Sequence, residues 1–81
     1  MKIEIYSLPH CPNCTMAKEF LKNKNINFVE YDLTADGIMD KLKTVAPSAK
    51  TAPQIVIDDE CIGGYTQLVE WFKTIGLDYD L

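Results

Sequence analysis

Long apolar runs are missing from this chain: no stretch approaches the roughly 18 consecutive apolar residues that a membrane-crossing helix requires. The start also lacks the apolar segment and small-residue cleavage site of a secretory signal, because Met1 and Lys2 lead directly into a strand-like run. A cytoplasmic protein with no membrane partner is the expectation. A basic stripe is missing as well. Lys and Arg number 8 against 12 Asp and Glu, leaving a formal net charge of -4 and no row of cations to neutralise phosphates, which excludes a general nucleic-acid binder. Low-complexity tracts, internal repeats and linkers are absent too.

Cysteine is scarce and odd in number. Cys11, Cys14 and Cys61 cannot all pair within the chain, so the disulfide framework of a small secreted domain fits poorly, and redox or metal chemistry is the better explanation. What is present suits a small globular unit. With 47% apolar against 25% charged residues the chain is too apolar to stay disordered, and 81 residues leave no room for a second core, so one domain over residues 1–81 is expected.

The hydrophobic pattern switches period several times. Residues 2–7 alternate around Ile3 and Ile5, a first strand. Pro9 and Pro12 punctuate a loop, after which Cys14, Ala17, Phe20 and Leu21 recur at helical spacing as far as a stop at residues 23–25. Pro12 falls in the first turn, where its missing N–H would have had no partner. Residues 27–33 alternate again, with Val29, Tyr31 and Leu33 on one face and Phe28 on the other. Ile38, Leu42 and Val45 mark a second helix that begins near residues 34–36 and stops before Pro47. Residues 54–57 and 61–62, joined by turn residues 58–60, read as a hairpin. Leu68, Val69, Phe72 and Ile75 line a last helix ended by Gly76, and residues 78–81 are expected to fray. The order is β-α-β-α-β-β-α, an α/β fold whose first βαβ unit should cross over right-handedly.

The chemistry sits at Cys-Pro-Asn-Cys, residues 11–14. A loop from a strand into a helix places Cys11 at the helix N-terminus, where unpaired N–H groups and the macrodipole favour an anion and lower a thiol pKa from about 8.5. Cys14, one turn on, can reach Cys11 to form a disulfide, and it shares the apolar stripe of Ala17 and Leu21, so it should be the more buried and less acidic thiol. Cys11 is then the attacking thiol and Cys14 the resolving one. The competing reading is half a zinc site, for which the chain offers only Cys61 and His10 as further ligands and no second C-x-x-C.

Three motifs in order resemble those of the glutaredoxin family: Cys-Pro-Asn-Cys at 11–14, Thr51-Ala52-Pro53, and Gly63-Gly64-Tyr65-Thr66. The resemblance covers essentially the whole chain. It implies a thioredoxin-like fold with a central four-stranded mixed sheet and a cis Pro53 facing the cysteines, although the residues alone also admit a trans proline that merely starts the third strand. It implies glutathione-dependent thiol-disulfide exchange, with glutathione as co-substrate, no permanently bound cofactor and no metal. Asn13, Thr51, Ala52, Pro53, Gly63, Gly64, Tyr65, Thr66 and Gln67 are the residues it places around glutathione, and the glycines, read alone, are equally a simple turn. Disulfide-containing proteins, ribonucleotide reductase among them, are the clients that it implies for a monomer.

The chain departs from the family pattern at three places. Leu8 stands where a basic residue is common, Asn13 where an aromatic is usual, and Gln67 where an acid often meets the γ-glutamyl ammonium. These departures bring forward a redoxin recharged by a thioredoxin reductase as an alternative. An iron-sulfur cluster carrier is a further one, which Pro12 disfavours.

Among the remaining candidates, His10 reads as a loop residue, Lys18 as a solvated helix face and Cys61 as a small buried hydrophobe. Trp71 and Tyr65 read as packing residues.

Overall fold

The computed structural model describes residues 1–75. Its elements run β1 (Ile3–Ser7), α1 (Pro12–Asn23), β2 (Val29–Asp32), α2 (Ile38–Val45), β3 (Gln54–Ile57), β4 (Glu60–Gly63) and α3 (Tyr65–Thr74). The order agrees with that read from the hydrophobic pattern. The expected stop at Gly76 and the expected fraying of residues 78–81 lie outside the described residues.

The four strands form one mixed sheet in the order β2-β1-β3-β4, with β1 parallel to β2 and antiparallel to β3, and β3 antiparallel to β4. Helices cover both faces. Ile3, Ile5, Ile55 and Ile57 pack against Ala17 and Leu21 of α1 and Leu68 and Phe72 of α3. Tyr6 and Val56, which point the other way because successive strand residues alternate, pack with Leu33 and with Leu42 of α2. The alternation in β1 therefore does not mark a solvent face: Glu4 and Ser7 are as buried as their apolar neighbours.

Three boundaries differ from the sequence expectation, each for a local reason. β2 starts at Val29 rather than at residue 27, since Phe28 turns into the α1–α3 core instead of continuing the ladder. Tyr31 and Leu33 join the α2 cluster as expected, but Val29, on the edge strand, stays half exposed. α2 begins at Ile38 and not near residues 34–36. The Asp32 carboxylate accepts from the Thr34 N–H at 2.8 Å and from its hydroxyl at 2.6 Å, a local turn that diverts the chain until Gly37, at φ 81°, redirects it into the helix. Those two bonds, the hydroxyl's first, hold the Asp32 carboxyl below its ordinary range. In the hairpin, Asp58 and Asp59 alone make the turn, at φ 50° and 69°, and Glu60 already belongs to β4. Two successive left-handed residues match the twist of the flanking strands, which is why such a pair closes a hairpin.

The end of α1 is set by its own sequence. Asn25 adopts φ 59°, its N–H donates to the Lys22 carbonyl, and the Ile26 N–H donates to the Leu21 carbonyl at 3.0 Å. This left-handed cap satisfies the last carbonyls and swings Ile26 back onto the core.

Candidate functional site

β1 ends at Ser7, and the loop that follows delivers Cys11 as the N-cap of α1, with φ -114° and ψ 104° and Pro12 in the first helical turn. Proline suits this place because its φ is preset for the helix and no N–H is lost. The Cys14 N–H points at Cys11 Sγ over 3.1 Å, so an orphan donor of the first turn is aimed at the sulfur, and the turn contains no acidic residue to oppose a negative charge there. Cys11 and Cys14 are joined as a disulfide with Cα atoms 5.2 Å apart. The two sulfurs differ in environment as expected: Cys11 is partly exposed and Cys14 is 1% exposed beneath the helix.

Opposite the disulfide lies the loop before β3. The Ala52–Pro53 peptide is cis, Pro53 is buried, and the Ala52 carbonyl oxygen is 3.8 Å from Cys11 Sγ. Thr51 is exposed beside it, its carbonyl and hydroxyl both accepting from the Gln54 side-chain amide.

The third motif reaches the same place from β4. A Cβ at Gly64 would lie 3.4 Å from the Pro53 carbonyl, an ordinary van der Waals contact, so the two backbones run side by side here. Gly63 has φ 113°, a conformation favoured by glycine, and a Cβ there would meet Gln67 Cγ at 2.9 Å. Tyr65 opens α3 with its ring edge-on to Phe20, as a packing residue does, and Thr66 is exposed in the first turn. Cys11 thus lies beside Ala52, and Gly64 beside Pro53, so the three motifs converge on the Ala52–Pro53 peptide, while Asn13 stands exposed on α1. Gln67 is exposed, and its amide oxygen already accepts from the Gly64 N–H at 2.9 Å, which leaves its NH₂ as the group still open to donate.

The remaining candidates fall elsewhere. His10 takes φ 58° in the loop. Cys61 is half buried rather than fully buried: it sits on β4, the sheet-edge strand opposite β2, beside Gln54 Oε1 at 3.3 Å. Trp71 and Tyr65 pack against the α1–α3 core. Among the described residues no three His, Cys, Asp or Glu side chains gather closely enough to hold a metal ion, so His10 and Cys61 do not complete a zinc site with the cysteine pair. Among the same residues no helix is long and apolar enough to cross a membrane.

Two features of the site escaped the sequence reading. Lys18 is not simply solvated: its ammonium meets Glu30 at 2.9 Å, and Ser7 Oγ donates to the same carboxylate oxygen at 2.7 Å. These groups line a cleft of about 180 Å³ together with His10, Cys11 and Asp32. The Lys18 hydrogen bond, followed by that of Ser7, holds the Glu30 carboxyl below the usual carboxylate range against the opposing effect of burial. A depressed folded-state value means that the contribution to stability is present above the unfolded value, about 4.3, and is lost as pH falls through the folded one. Lys18→Met is expected to move the Glu30 titration upward, which carboxyl chemical shifts followed against pH would show. An unchanged midpoint would remove Lys18 as the cause. The second feature is a groove of about 260 Å³ on the far side of Thr51 and Ala52, walled by Leu8, Met39 and Leu42. Both hollows join segments distant in sequence, so no local pattern announces them.

A sheet flanked by helices on both faces, with a cysteine pair at the N-terminus of the first helix opposite a cis proline, defines a thioredoxin-fold dithiol protein. Residues 3–62 match the family model described as Glutaredoxin. The chain is 37% identical over 76 residues to glutaredoxin 1 of Salmonella typhimurium, covering 85% of this chain and 87% of that protein. It is 38% identical over 68 residues to a probable glutaredoxin of Synechocystis, covering 83% of this chain and 62% of the relative, slightly under two thirds of its length. The solved structure of reduced Escherichia coli glutaredoxin superposes with a TM-score of 0.75, at 34% identity over 96% of this chain and 99% of that one. The chain belongs to the glutaredoxin family, and its cysteine pair is that of a thiol-disulfide oxidoreductase.

Proposed function

We propose that the protein reduces glutathione mixed disulfides and protein disulfides, with Cys11 as nucleophile, Cys14 as resolving thiol and glutathione as the reductant that recharges the pair. The observation that carries this reading is the convergence of Cys11 Sγ and the Gly64 backbone on the Ala52–Pro53 peptide. An extended γ-Glu-Cys-Gly backbone pairs with Thr51, Ala52 and Pro53 in strand fashion, which requires little of their side chains, and its cysteine sulfur comes to Cys11. A carboxylate of the tripeptide lies toward the start of α3, where Tyr65 and Thr66, after Gly63 and Gly64, present first-turn backbone N–H groups, that of Gly64 being given to Gln67. Asn13 and Gln67 flank the ligand, Gln67 as a neutral donor.

The chemistry follows from the two sulfur environments. In the reduced protein, the Cys11 thiolate attacks one sulfur of the substrate disulfide, and the other sulfur leaves as a thiolate that takes up a proton. With a protein disulfide, Cys14 gives up its proton and attacks Cys11 Sγ, expelling the substrate's remaining sulfur and closing the Cys11–Cys14 bond. Two electrons and two protons have then passed to the substrate. Two glutathione molecules return them in the reverse sense, one forming a mixed disulfide with Cys11 and the second releasing it as glutathione disulfide.

A second reading, a redoxin recharged by a thioredoxin reductase, is favoured by the exposed Leu8, which offers no cation, and by Gln67, which carries no charge and whose oxygen is engaged. The two part in one coupled assay on hydroxyethyl disulfide. NADPH consumption is expected with glutathione and glutathione reductase. Consumption only when a thioredoxin reductase replaces them would sink the glutathione reading and leave the dithiol chemistry standing.

A further inference from the structure

We infer that the groove beside the cysteine pair seats the segment flanking a substrate disulfide, and that it selects a polypeptide in which an apolar residue neighbours an acidic one. The inference rests on the disulfide-reductase reading above, and not on glutathione as the source of electrons.

The groove shares Thr51 and Ala52 with the site, so a peptide paired along that backbone continues into it without a break. Its floor is apolar and fixed, with Leu33 at 8% and Leu42 at 2% exposure. Its walls carry Leu8 and Met39, which leave 43% and 45% of their surfaces open to solvent, and Leu8 also lines the cleft that contains Cys11. Large apolar side chains exposed together around a concavity mark a contact surface rather than ordinary scatter. At about 260 Å³ the groove is below the size usual for a drug-sized ligand, and it suits one side chain of an extended peptide.

Charge settles what that peptide carries. The groove is bordered by Lys43 and Lys50, both exposed, and no acidic residue lines it, although the chain as a whole has a net charge of -4. The cleft on the other side of Leu8 holds Asp32 and the Glu30–Lys18 ion pair, so its charge is mixed. A substrate lying across Cys11 therefore meets an uncompensated positive border on the groove side alone, which is where an acidic flank is accepted. Leu8, where the family often has a cation, extends the apolar wall and leaves Lys43 and Lys50 to set the preference.

The test uses synthetic peptides with one cysteine disulfide-linked to 2-mercaptoethanol, flanked by Leu-Glu or by Leu-Lys, and the dithiothreitol-reduced full chain in single turnovers followed by mass spectrometry. The Cys11–Cys14 pair supplies the two electrons, and each reaction ends with peptide thiol, mercaptoethanol and the oxidised pair. The Leu-Glu peptide is expected to react roughly tenfold faster at low salt, with the advantage shrinking as salt screens exposed charges. In Lys43→Glu/Lys50→Glu the preference should vanish or reverse, while the rate on hydroxyethyl disulfide stays within about twofold of the parent, as expected of surface charges remote from the reacting sulfurs. Equal rates for the two peptides with an active parent protein would overturn the groove assignment alone. A parent protein inert toward hydroxyethyl disulfide would overturn the reductase reading, and the groove assignment with it.

Discussion

Cys11→Ser is expected to abolish reduction of glutathione mixed disulfides, by about a thousandfold or more, because a serine hydroxyl at neutral pH supplies essentially none of the anion that the attack requires. Cys14→Ser is expected to behave differently. It should keep activity on glutathione adducts, where a second glutathione can release the product, and lose it on protein disulfides, which need the internal resolving step. The contrast follows from position: Cys11 is the partly exposed N-cap with a backbone N–H aimed at its sulfur, and Cys14 is buried under the same turn. The glutathione-reductase-coupled assay and a reduction assay on a protein disulfide, run on both variants, decide it. Equal losses in the two variants on glutathione adducts would mean that the thiols do not divide the work in this way. Near-native circular dichroism in both would show that the losses are chemical.

Phe72→Ala is expected to produce the largest loss of stability among single substitutions in α3, about 3–5 kcal/mol from the missing ring and the cavity that remains. Phe72 is fully buried, tilted against Phe20 at 5.7 Å and edge-on to Trp71 at 5.0 Å, and it packs on Ile3, Ile5, Ile55 and Ile57 through the same cluster. A domain of this size has roughly 5–10 kcal/mol in all, so the change removes a large share of it. Each kcal/mol corresponds to roughly 4–8 °C in a chain of 60–100 residues, which puts the drop in melting temperature above about 12 °C. Phe72→Leu, which keeps most of the volume, should cost less than about 1.5 kcal/mol. Urea titrations of the three proteins would test this, and a loss near 1 kcal/mol for the alanine variant would show that the core collapses around the gap. Because Gly64 and Tyr65 lie at the start of the helix that Phe72 anchors, glutathione turnover should weaken in Phe72→Ala at temperatures where the protein is still folded.

What was legible in the sequence was what short-range chemistry determines. Cys11 and Pro12 at the start of α1, the Asn25 stop and the glycines before α3 each announced themselves because capping, left-handed backbone and close approach depend on a few neighbouring residues. The convergence of the three motifs came from family resemblance. No spacing in the sequence brings Ala52 to Cys11 across 41 positions. Alternation in β1 could not say that Glu4 and Ser7 are buried, since period two distinguishes two faces without naming what lies on either. The late start of α2 was hidden because the Asp32–Thr34 turn competes with a helix through side-chain bonds that hydrophobic periodicity does not register. Lys18 looked like ordinary surface for a related reason: its pairing with Glu30 joins a helix to the neighbouring strand.

The sheet order has a consequence for behaviour in concentrated solution. Its outermost members, β2 and β4, are four residues each and, among the described residues, each leaves one row of backbone donors and acceptors without a strand partner. Strands of this kind template the addition of further strands from other molecules. Here the rows are short, and they carry Asp32 at one border, beside the Lys18-paired Glu30, and Glu60 at the other, so a second copy approaching edge to edge brings like charges together over a length too small to compensate. The acidic residues that contribute nothing to the cysteine chemistry thus act as guards against fibrous self-association, and neutralising them by acid, rather than heating, is the condition under which this protein should first lose its colloidal stability.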